Sequence, residues 1–557
     1  MGYIADFFET NLTALRRYHP KLAESLSMAK RNERFSVVLS KTGKPVPSYS
    51  TRGSALLLNS KYDPEKEADR FASAAAPSQS YLVLGLDGGY SLHKLLNRRA
   101  ELVIVVDFDI GYLRFLLEQF DFAKLLLDPR FKLIIRREVD EIAESLLNTY
   151  MPLFHGNLTV VPQRARVQIN EPFFSQVRSR IPNIIGLSTI DISTQKRFAR
   201  RWMQNIMANS LSASASAQKS YVLLPSSLSG DIHITAAGPS LEASLSSLRA
   251  LPDTDRIAAT DTSLPLLLSA DIIPDFVVSV DCQHHSYHHF LSGIPARSIL
   301  VLDLVSHPQL FRCGNRIVPI AGGHPFSTYI SRHFYPFIRV DTSGGNVTHA
   351  AVSFADRLNP RRIILHGADF SYPDGKLYAR QTYLHTYFSA KETRLCSLET
   401  AWARMLLDKG DLILASAGGR ITYTTGLLES YREKLTALAG DISTPVYRVD
   451  SGIPIRRGKN TPVSLDTTRK AVRASLNPDW LAFCRTAYDE LSRVRLGNGP
   501  VHSIIENLDS PSAQLLLSIM PLAAHHFEKY GKNDGIRLLE TAISEARMVL
   551  RRTVHGI

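Results

Sequence analysis

Seven short apolar runs between Asp231 and Asp450 constrain the fold more than any other feature of the chain. They read IHITAAG, RIAAT, DFVVSVD, SILVLD, NRIVPI, FIRVD and RRIILHG. Each has the length of a strand, and each is apolar nearly throughout, so both faces of the resulting sheet must be covered. Helical or loop stretches separate them, and strands joined through helices pair in parallel. The expectation is an α/β domain whose ligands meet the carboxyl ends of the strands.

A similar pattern occurs earlier. YLVLGL, from Tyr81 to Leu86, reads as a buried strand; Gly85, Gly88 and Gly89 punctuate the turn after it, and YSLHKLLNRR reads as a helix. ELVIVVDFD then gives a second strand ending in Asp107 and Asp109. That order outlines a nucleotide-binding βαβ unit, but the G-x-G-x-x-G spacing is absent. A tight strand-to-helix turn, a nucleotide site and a methyltransferase cofactor site all remain open readings of these glycines. Serines crowd NSLSASASAQKS, Asn209 to Ser220, which reads as a linker. From about Thr467 the spacing is helical with little strand signal. The expected division is an N-terminal α/β domain with a leading helix over 1–210, a linker over 211–230, a central Rossmann-like domain over 231–460 and a helical C-terminal domain over 461–557.

With 557 residues, 44% apolar and 21% charged, the chain has the composition of a globular protein able to bury large cores. Its four cysteines, Cys282, Cys313, Cys396 and Cys484, are scattered, so a reducing compartment and a cytoplasmic location are expected rather than a disulfide framework. No apolar run approaches the ~18 residues of a membrane span, and the N-terminal residues read as an amphipathic helix, not a secretory signal. The net charge of +13 suits an anionic partner. The basic residues are dispersed and no nucleic-acid module is recognisable, so nucleic acid is not the expected partner.

The chemistry-bearing residues cluster at the strand ends. After IHITAA, the turn Gly238-Pro239-Ser240 leads into a helix; Gly238 permits close backbone approach, and Ser240 is expected to cap the helix and leave its amides open to a phosphate. Asp261 and Asp281 end the next two strands, where carboxylates take hydroxyl and amine donors or cap the following helix. The richest segment is TSGGNVTHAAVSFADRLNPRRIILHGADFSYPDGKLYAR, Thr342 to Arg380. In it Val347, Ala350, Ala351, Phe354, Ala355 and Leu358 mark a buried helix face. Gly344 and Gly345 precede that helix and leave its first amides open to an anion. Asp369 follows the next strand, and Tyr372 and Tyr378 can each donate a phenolic hydrogen bond. His284, His285, His288 and His289 form HHSYHH, a metal site or a polar loop. His324 and His385 are lone histidines that suit a general base.

AGPSLEASLSSL, PDFVVSVD and the Thr342–Arg380 segment together resemble the motility-associated factor (Maf) flagellin glycosyltransferases. YLVLGLDGGYSLHKLL, GGRITYTTGLLESYREKLTAL and VYRVDSGIPIRRG extend the likeness over residues 80–460. The central domain of that family is similar to bacterial sialyltransferases that use CMP-activated sugars. The resemblance implies a glycosyltransferase that moves a nonulosonic acid, of pseudaminic or legionaminic type, from CMP to Ser or Thr of flagellin, in support of flagellum assembly and motility. It implies donor contacts from Gly238, Pro239, Ser240, Asp261, Asp281, Thr342, Ser343, Gly344, Gly345, Asn346 and Asp369. Tyr372 and Tyr378 would assist departure of the phosphate. The family's base histidine has no clear counterpart, and His385 is the nearest downstream residue of that type. No metal and no cofactor beyond the CMP-sugar donor are implied. The central domain also looks like pterin pyrophosphokinases, and a non-catalytic flagellin-binding role is the remaining alternative.

Overall fold

The computed structural model describes residues 7–51, 53–98, 100–216, 228–313, 316–408, 410–417, 420–449, 479–496, 508, 510–530 and 535–555. Two compact units emerge: Met1–Ala199 with Arg493–Glu545, and Arg200–Ser492 with Ala546–Ile557.

The first unit opens with an antiparallel meander, β1 (Phe35–Leu39), β2 (Pro45–Ser50) and β3 (Ala55–Leu57). The expected βαβ unit comes next. Strands β4 (Ser80–Leu84), β5 (Leu102–Asp107), β6 (Phe131–Ile135) and β7 (Leu158–Pro162) form a parallel sheet in the order β6-β5-β4-β7. Successive residues point to opposite faces. Tyr81, Val83, Val103 and Val105 enter one core, and Leu82, Leu84, Ile104 and Val106 enter the other.

The winding reverses between β4 and β7, the place where such sheets hold nucleotides. Here the protein fills that place itself. A Cβ on Gly85 would lie 2.6 Å from Arg166 Cγ. Arg166 is fully buried and donates to both oxygens of Asp107, at 2.9 and 2.7 Å. Gln163 donates to Asp87 at 3.0 Å, and the amide of Gly89 does so at 2.8 Å. The glycine turn therefore serves the strand-to-helix turn and the buried ion pair, and a cofactor at Gly85 would have to displace an arginine.

The Glu171–Ser216 helix runs from the first unit into the second. Its last two turns include the start of the serine stretch expected to be a linker. Asn205 Nδ2 donates to the carbonyls of Cys282 and Val305, at 3.2 and 2.8 Å. One turn on, Asn209 Nδ2 donates to those of Leu304 and Ser306, at 2.9 and 2.8 Å. Small side chains fit a packed helix as well as a loop, and these asparagines decide the matter. The rest of the expected linker after Ser216, up to residue 227, lies outside the described residues. The expected helical C-terminal domain is also divided differently: Arg493–Glu545 belongs to the first unit, and the Trp480–Arg493 helix lies almost wholly in the second.

The second unit holds all seven expected strands: β8 (Ile232–Thr235), β9 (Arg256–Thr260), β10 (Phe276–Ser279), β11 (Ile299–Asp303), β12 (Ile317–Ala321), β13 (Ile338–Arg339) and β14 (Ile363–His366). Two further elements lie outside that expectation. One is a small antiparallel sheet of β15 (Tyr372–Pro373), β16 (Leu412–Ala417) and β17 (Arg420–Thr425). The other is an edge strand, β18 (Val446–Arg448). The main sheet is parallel in the order β13-β12-β11-β10-β9-β8-β14-β18, so its winding reverses between β8 and β14. The chain leaves β13 at one edge and must recross the sheet to reach β14. The Val347–Asp356 helix makes that crossing with Ala350, Ala351, Val352, Phe354 and Ala355 completely buried. Phe354 meets Phe276 edge-on at 5.5 Å.

Asn209→Ala leaves two buried carbonyls without donors and is expected to destabilise the second unit by about 2–3 kcal/mol. Trp202, Trp402 and Trp480 all lie in that unit, so urea unfolding followed by tryptophan fluorescence reads it directly. Leu211→Ala, at an exposed position of the same helix, should stay within about 0.5 kcal/mol of the parent.

Candidate functional site

The turns after β8 and β14 are pressed together at the switch point. The amide of Gly238 donates to Gly367 O at 2.9 Å, and a Cβ on Gly238 would lie 2.5 Å from both that carbonyl and Asp369 Oδ2. Asp369 accepts from the amide of Ser240 at 2.9 Å and from its hydroxyl. Ser240 thus hydrogen-bonds Asp369 instead of capping its helix. The next amides are also used: Leu241 donates to Gly238 O at 3.0 Å, and Glu242 and Ala243 donate to Pro239 O and Ser240 O at 3.2 Å. The amides at Gly238-Pro239-Ser240 are therefore engaged in the turn's own bonds in this structure, and Asp369 is the clasp that holds the turn.

That clasp positions the segment after Asp369. The amide of Ala379, next to Tyr378, donates to Ala237 O at 3.0 Å. Thr382 Oγ1 donates to Ala379 O at 2.9 Å and caps the Tyr383–Ser389 helix by accepting from the amide of His385. Burial, and then the nearby Arg380 charge, push the His385 imidazole below its ordinary pKa, so it is neutral at neutral pH. Its ring meets Trp402 edge-on at 5.6 Å. Tyr372 and Tyr378 pack against the same cluster of Leu377, Trp402 and Leu406. The sequence-predicted phenols and histidine thus share one aromatic neighbourhood.

The second glycine turn is open. Asn346 caps the Val347–Asp356 helix by accepting from the amide of His349 at 3.0 Å. Gly345 donates to Thr342 O at 3.1 Å, and Ser343 donates to Asp341 at 2.8 Å. The amides of Gly344, Asn346, Val347 and Thr348 carry no hydrogen-bond partner among the described residues. The buried His349 ring fills the space beside Gly344 and meets Asp341 at 3.0 Å. That bond, first among the causes, holds the Asp341 carboxyl well below the usual carboxylate range. Gly345 adopts φ +75°, and a Cβ there would lie 3.1 Å from the Tyr431 ring.

Tyr431 and Lys434, one turn apart on the Gly426–Asp441 helix, were not singled out in the sequence. Lys434 Nζ donates to Ser343 O at 3.3 Å. Burial, with Tyr372 and Tyr431 nearby, raises the Tyr378 pKa, so its phenol remains a hydrogen-bond donor at neutral pH. Three phenols, one ammonium and four unpartnered amides thus belong to this one neighbourhood, all of them donors.

The strand-end acids are less available. Asp261 is buried and accepts from Ser279 Oγ at 2.7 Å and from the amide and hydroxyl of Thr262 at 2.7 and 3.0 Å. Burial raises its pKa, and the nearby His289 offsets part of the rise. Asp281 accepts from the amide of Gln283 at 2.9 Å. Thr342 Oγ1 accepts from the amide of Gly323 at 3.0 Å, tying the segments after β12 and β13 together. Asp303, at the end of β11, carries the same acid-at-strand-end signal in the sequence but was not among the expected site residues; burial pushes its pKa up to about 7. His324 caps the Pro325–His333 helix, and burial drives its pKa down to about 3. In the HHSYHH segment, His284 meets His307 at 5.1 Å, while His288 and His289 meet Tyr383 at 4.9 and 5.8 Å. Among the described residues no three His, Cys, Asp or Glu side chains are placed to hold a metal ion, and no helix is long and apolar enough to cross a membrane.

Comparison with known proteins adds four findings. The profile of a family described as 6-hydroxymethylpterin diphosphokinase MptE-like matches residues 203–375. An uncharacterized protein of Treponema pallidum (strain Nichols) is 37% identical over 149 residues, a match covering 26% of this chain and 52% of the relative, so the chain spans about half of that protein. A second uncharacterized protein of the same organism is 29% identical over 181 residues, covering 32% of this chain and 83% of the relative. Among solved structures, a Maf glycosyltransferase from Magnetospirillum magneticum AMB-1 superposes with a TM-score of 0.60 at 16% identity, over 99% of this chain and 96% of that one.

Two consequences can be measured. Gly238→Ala should part the clasp, because its methyl meets a backbone carbonyl; a loss of about 1–3 kcal/mol in urea unfolding is expected. His366, which ends β14, meets His233 Nδ1 through Nε2 at 2.9 Å. Burial first, and His233 second, push its pKa down to about 4. The unfolded chain, with a histidine pKa of ~6.5, takes up this proton first, so the associated stability is complete above ~6.5 and is lost as pH falls towards 4. His366→Gln should shrink that acid loss by roughly 3 kcal/mol. An unchanged pH profile of urea unfolding would refute the assignment. The resemblance seen in the sequence and the likeness seen in the structure name the same group, and the chain has the Maf glycosyltransferase fold.

Proposed function

We propose that this protein is a metal-independent, cytoplasmic glycosyltransferase that moves a nonulosonic acid from its CMP-activated form onto Ser or Thr of flagellin, in support of flagellum assembly and motility. One observation carries the reading: the open turn at Gly344-Gly345, with its unpartnered amides, stands beside Tyr431 and Lys434, in the same neighbourhood as Tyr372 and Tyr378. Such a set of donors suits a leaving phosphate. In the transfer, the bond from the sugar's anomeric carbon to the phosphate oxygen breaks, and CMP leaves with the electron pair. The acceptor hydroxyl forms the new bond and gives its proton to a base, the role assigned to the neutral His385. Asp369, Gly238, Pro239 and Ser240 act as the wall that positions Tyr378, and Asp261, Asp281 and Thr342 order the neighbouring strand ends.

The match to the pterin diphosphokinase-like family ends at residue 375, before Tyr378, His385, Tyr431 and Lys434. It therefore spans strands β8 to β14, both glycine turns and Tyr372, and stops before the remaining groups of the proposed transfer site. A pyrophosphokinase would form AMP from ATP in the presence of pterin and Mg²⁺; a passive flagellin-binding protein would be indifferent to loss of the Tyr378 hydroxyl.

Intact mass of flagellin from cells with and without the protein tests the reading. Sugar-sized mass increments should vanish without it. Tyr378→Phe should slow transfer about 100-fold, as when a transition-state donor is removed. Normal increments in cells carrying only Tyr378→Phe would sink the mechanism.

A further inference from the structure

In the first unit, Arg166 fills the switch point between β4 and β7, but the ends of the next strands are open. Two adjoining clefts, of about 240 and 430 Å³, share a wall of Asn32, Phe108, Asp109 and Asn170. Phe108 and Asp109 directly follow β5, and Arg137 follows β6 closely. The larger cleft falls within the ~300–1,000 Å³ usual for small-molecule sites.

The lining has a definite chemical sense. Arg34 borders the smaller cleft and Arg137 the larger. Arg34 donates to the Tyr49 hydroxyl at 3.1 Å, and neither guanidinium has a carboxylate partner among the described residues. Asn170 uses its carbonyl to accept from the amide of Phe173, at 3.4 Å, which leaves its NH₂ group as donor. Asn32 accepts from the amide of Arg34 at 3.1 Å and donates one N–H to Asp109 at 2.8 Å, so a second N–H remains. The amide of Tyr112 donates to Asp109 at 3.0 Å. The carboxylate is thereby fixed at a strand end, where such acids receive ribose hydroxyls. Phe108 and Phe173 meet at 5.2 Å and supply ring surface.

We infer that this cleft binds a nucleoside phosphate, one strand away from the usual position. Phosphate oxygens meet Arg34, Arg137 and the Asn170 amide; the ribose meets Asp109; the base lies on Phe108 and Phe173. Paired guanidiniums suit phosphate in particular, because their forked donors match its oxygens. The inference stands apart from the glycosyl-transfer reading, since none of these residues takes part in it.

Isothermal titration of the full chain with AMP, GMP and UMP provides the test, with adenosine and inorganic phosphate as part-ligands. At least one nucleotide should bind, and adenosine and phosphate should each bind at least ~10-fold more weakly than it does. Arg34→Ala combined with Arg137→Ala, both at exposed positions, should weaken nucleotide binding by ~10-fold or more without changing the thermal melt. Gly345→Val, which blocks the glycine turn of the second unit, should leave it intact. No nucleotide binding, phosphate alone binding as well as the nucleotide, unchanged affinity in the double variant, or loss in Gly345→Val with retention in the double variant would each overturn the proposal.

Discussion

The contact between the turns after β8 and β14 is the constraint on which the second unit depends. Two strands that diverge at a switch point leave a crevice between their carboxyl ends. Here Gly238 and Gly367 let the two backbones meet, and a side chain at either would strike a carbonyl at 2.5 Å. Asp369 then takes both donors of Ser240. From this clasp the order passes outward through Ala237 to Ala379, through Ala379 to Thr382, and through Thr382 to the helix of His385. Tyr378 lies on that path. Its placement is a backbone matter, fixed before any packing of its ring.

The two glycine turns of the second unit look alike in sequence and behave in opposite ways. After Gly238 the first helical amides bond to carbonyls of the turn itself, in the tight geometry common at helix ends. After Gly345 they do not, because Asn346 is extended and its side chain satisfies only His349. Topology explains the difference. The first turn joins neighbouring strands and closes on its own helix. The second ends a connection from β13 back across the sheet, held by Asp341 and His349 and flanked by Tyr431 and Lys434. Unpartnered helical amides favour an anion, and the lysine beside them adds to that preference.

This contrast also marks how far the sequence could be read. All seven central strands and the parallel sheet follow from short apolar runs separated by helices, and the buried face of the Val347–Asp356 helix follows from its spacing. The pairing of Asp369 with Ser240 joins residues far apart in the chain, and no local pattern announces it. Tyr431 and Lys434 sit on an amphipathic helix whose periodicity says only that one face is buried. Strands β16 and β17 are within reach of the sequence: DLILASAGGRITYTTG sets two runs either side of a glycine pair, which is a hairpin signal. Serine-rich composition misleads, because Asn205 and Asn209 turn a polar stretch into a packed helix through four carbonyls whose positions only the fold sets.

The same physical solution occurs in both units. Each sheet closes its own switch point with a charged side chain hydrogen-bonded inside the protein, Arg166 with Asp107 in one and Asp369 with Ser240 in the other. A buried charge is tolerated only when paired or hydrogen-bonded, so the buried Arg166–Asp107 pair cannot be lent to a ligand without large cost. Groups with open valences are found elsewhere in each unit: Arg34, Arg137 and Asn170 in the first, and the amides after Gly344 in the second. In both, donors outnumber acceptors, which agrees with the chain's excess of positive charge. In the first unit the glycine turn after β4 is one the protein keeps for itself. Chemistry in this fold is therefore to be sought beside the switch point, where the backbone has been left unsatisfied.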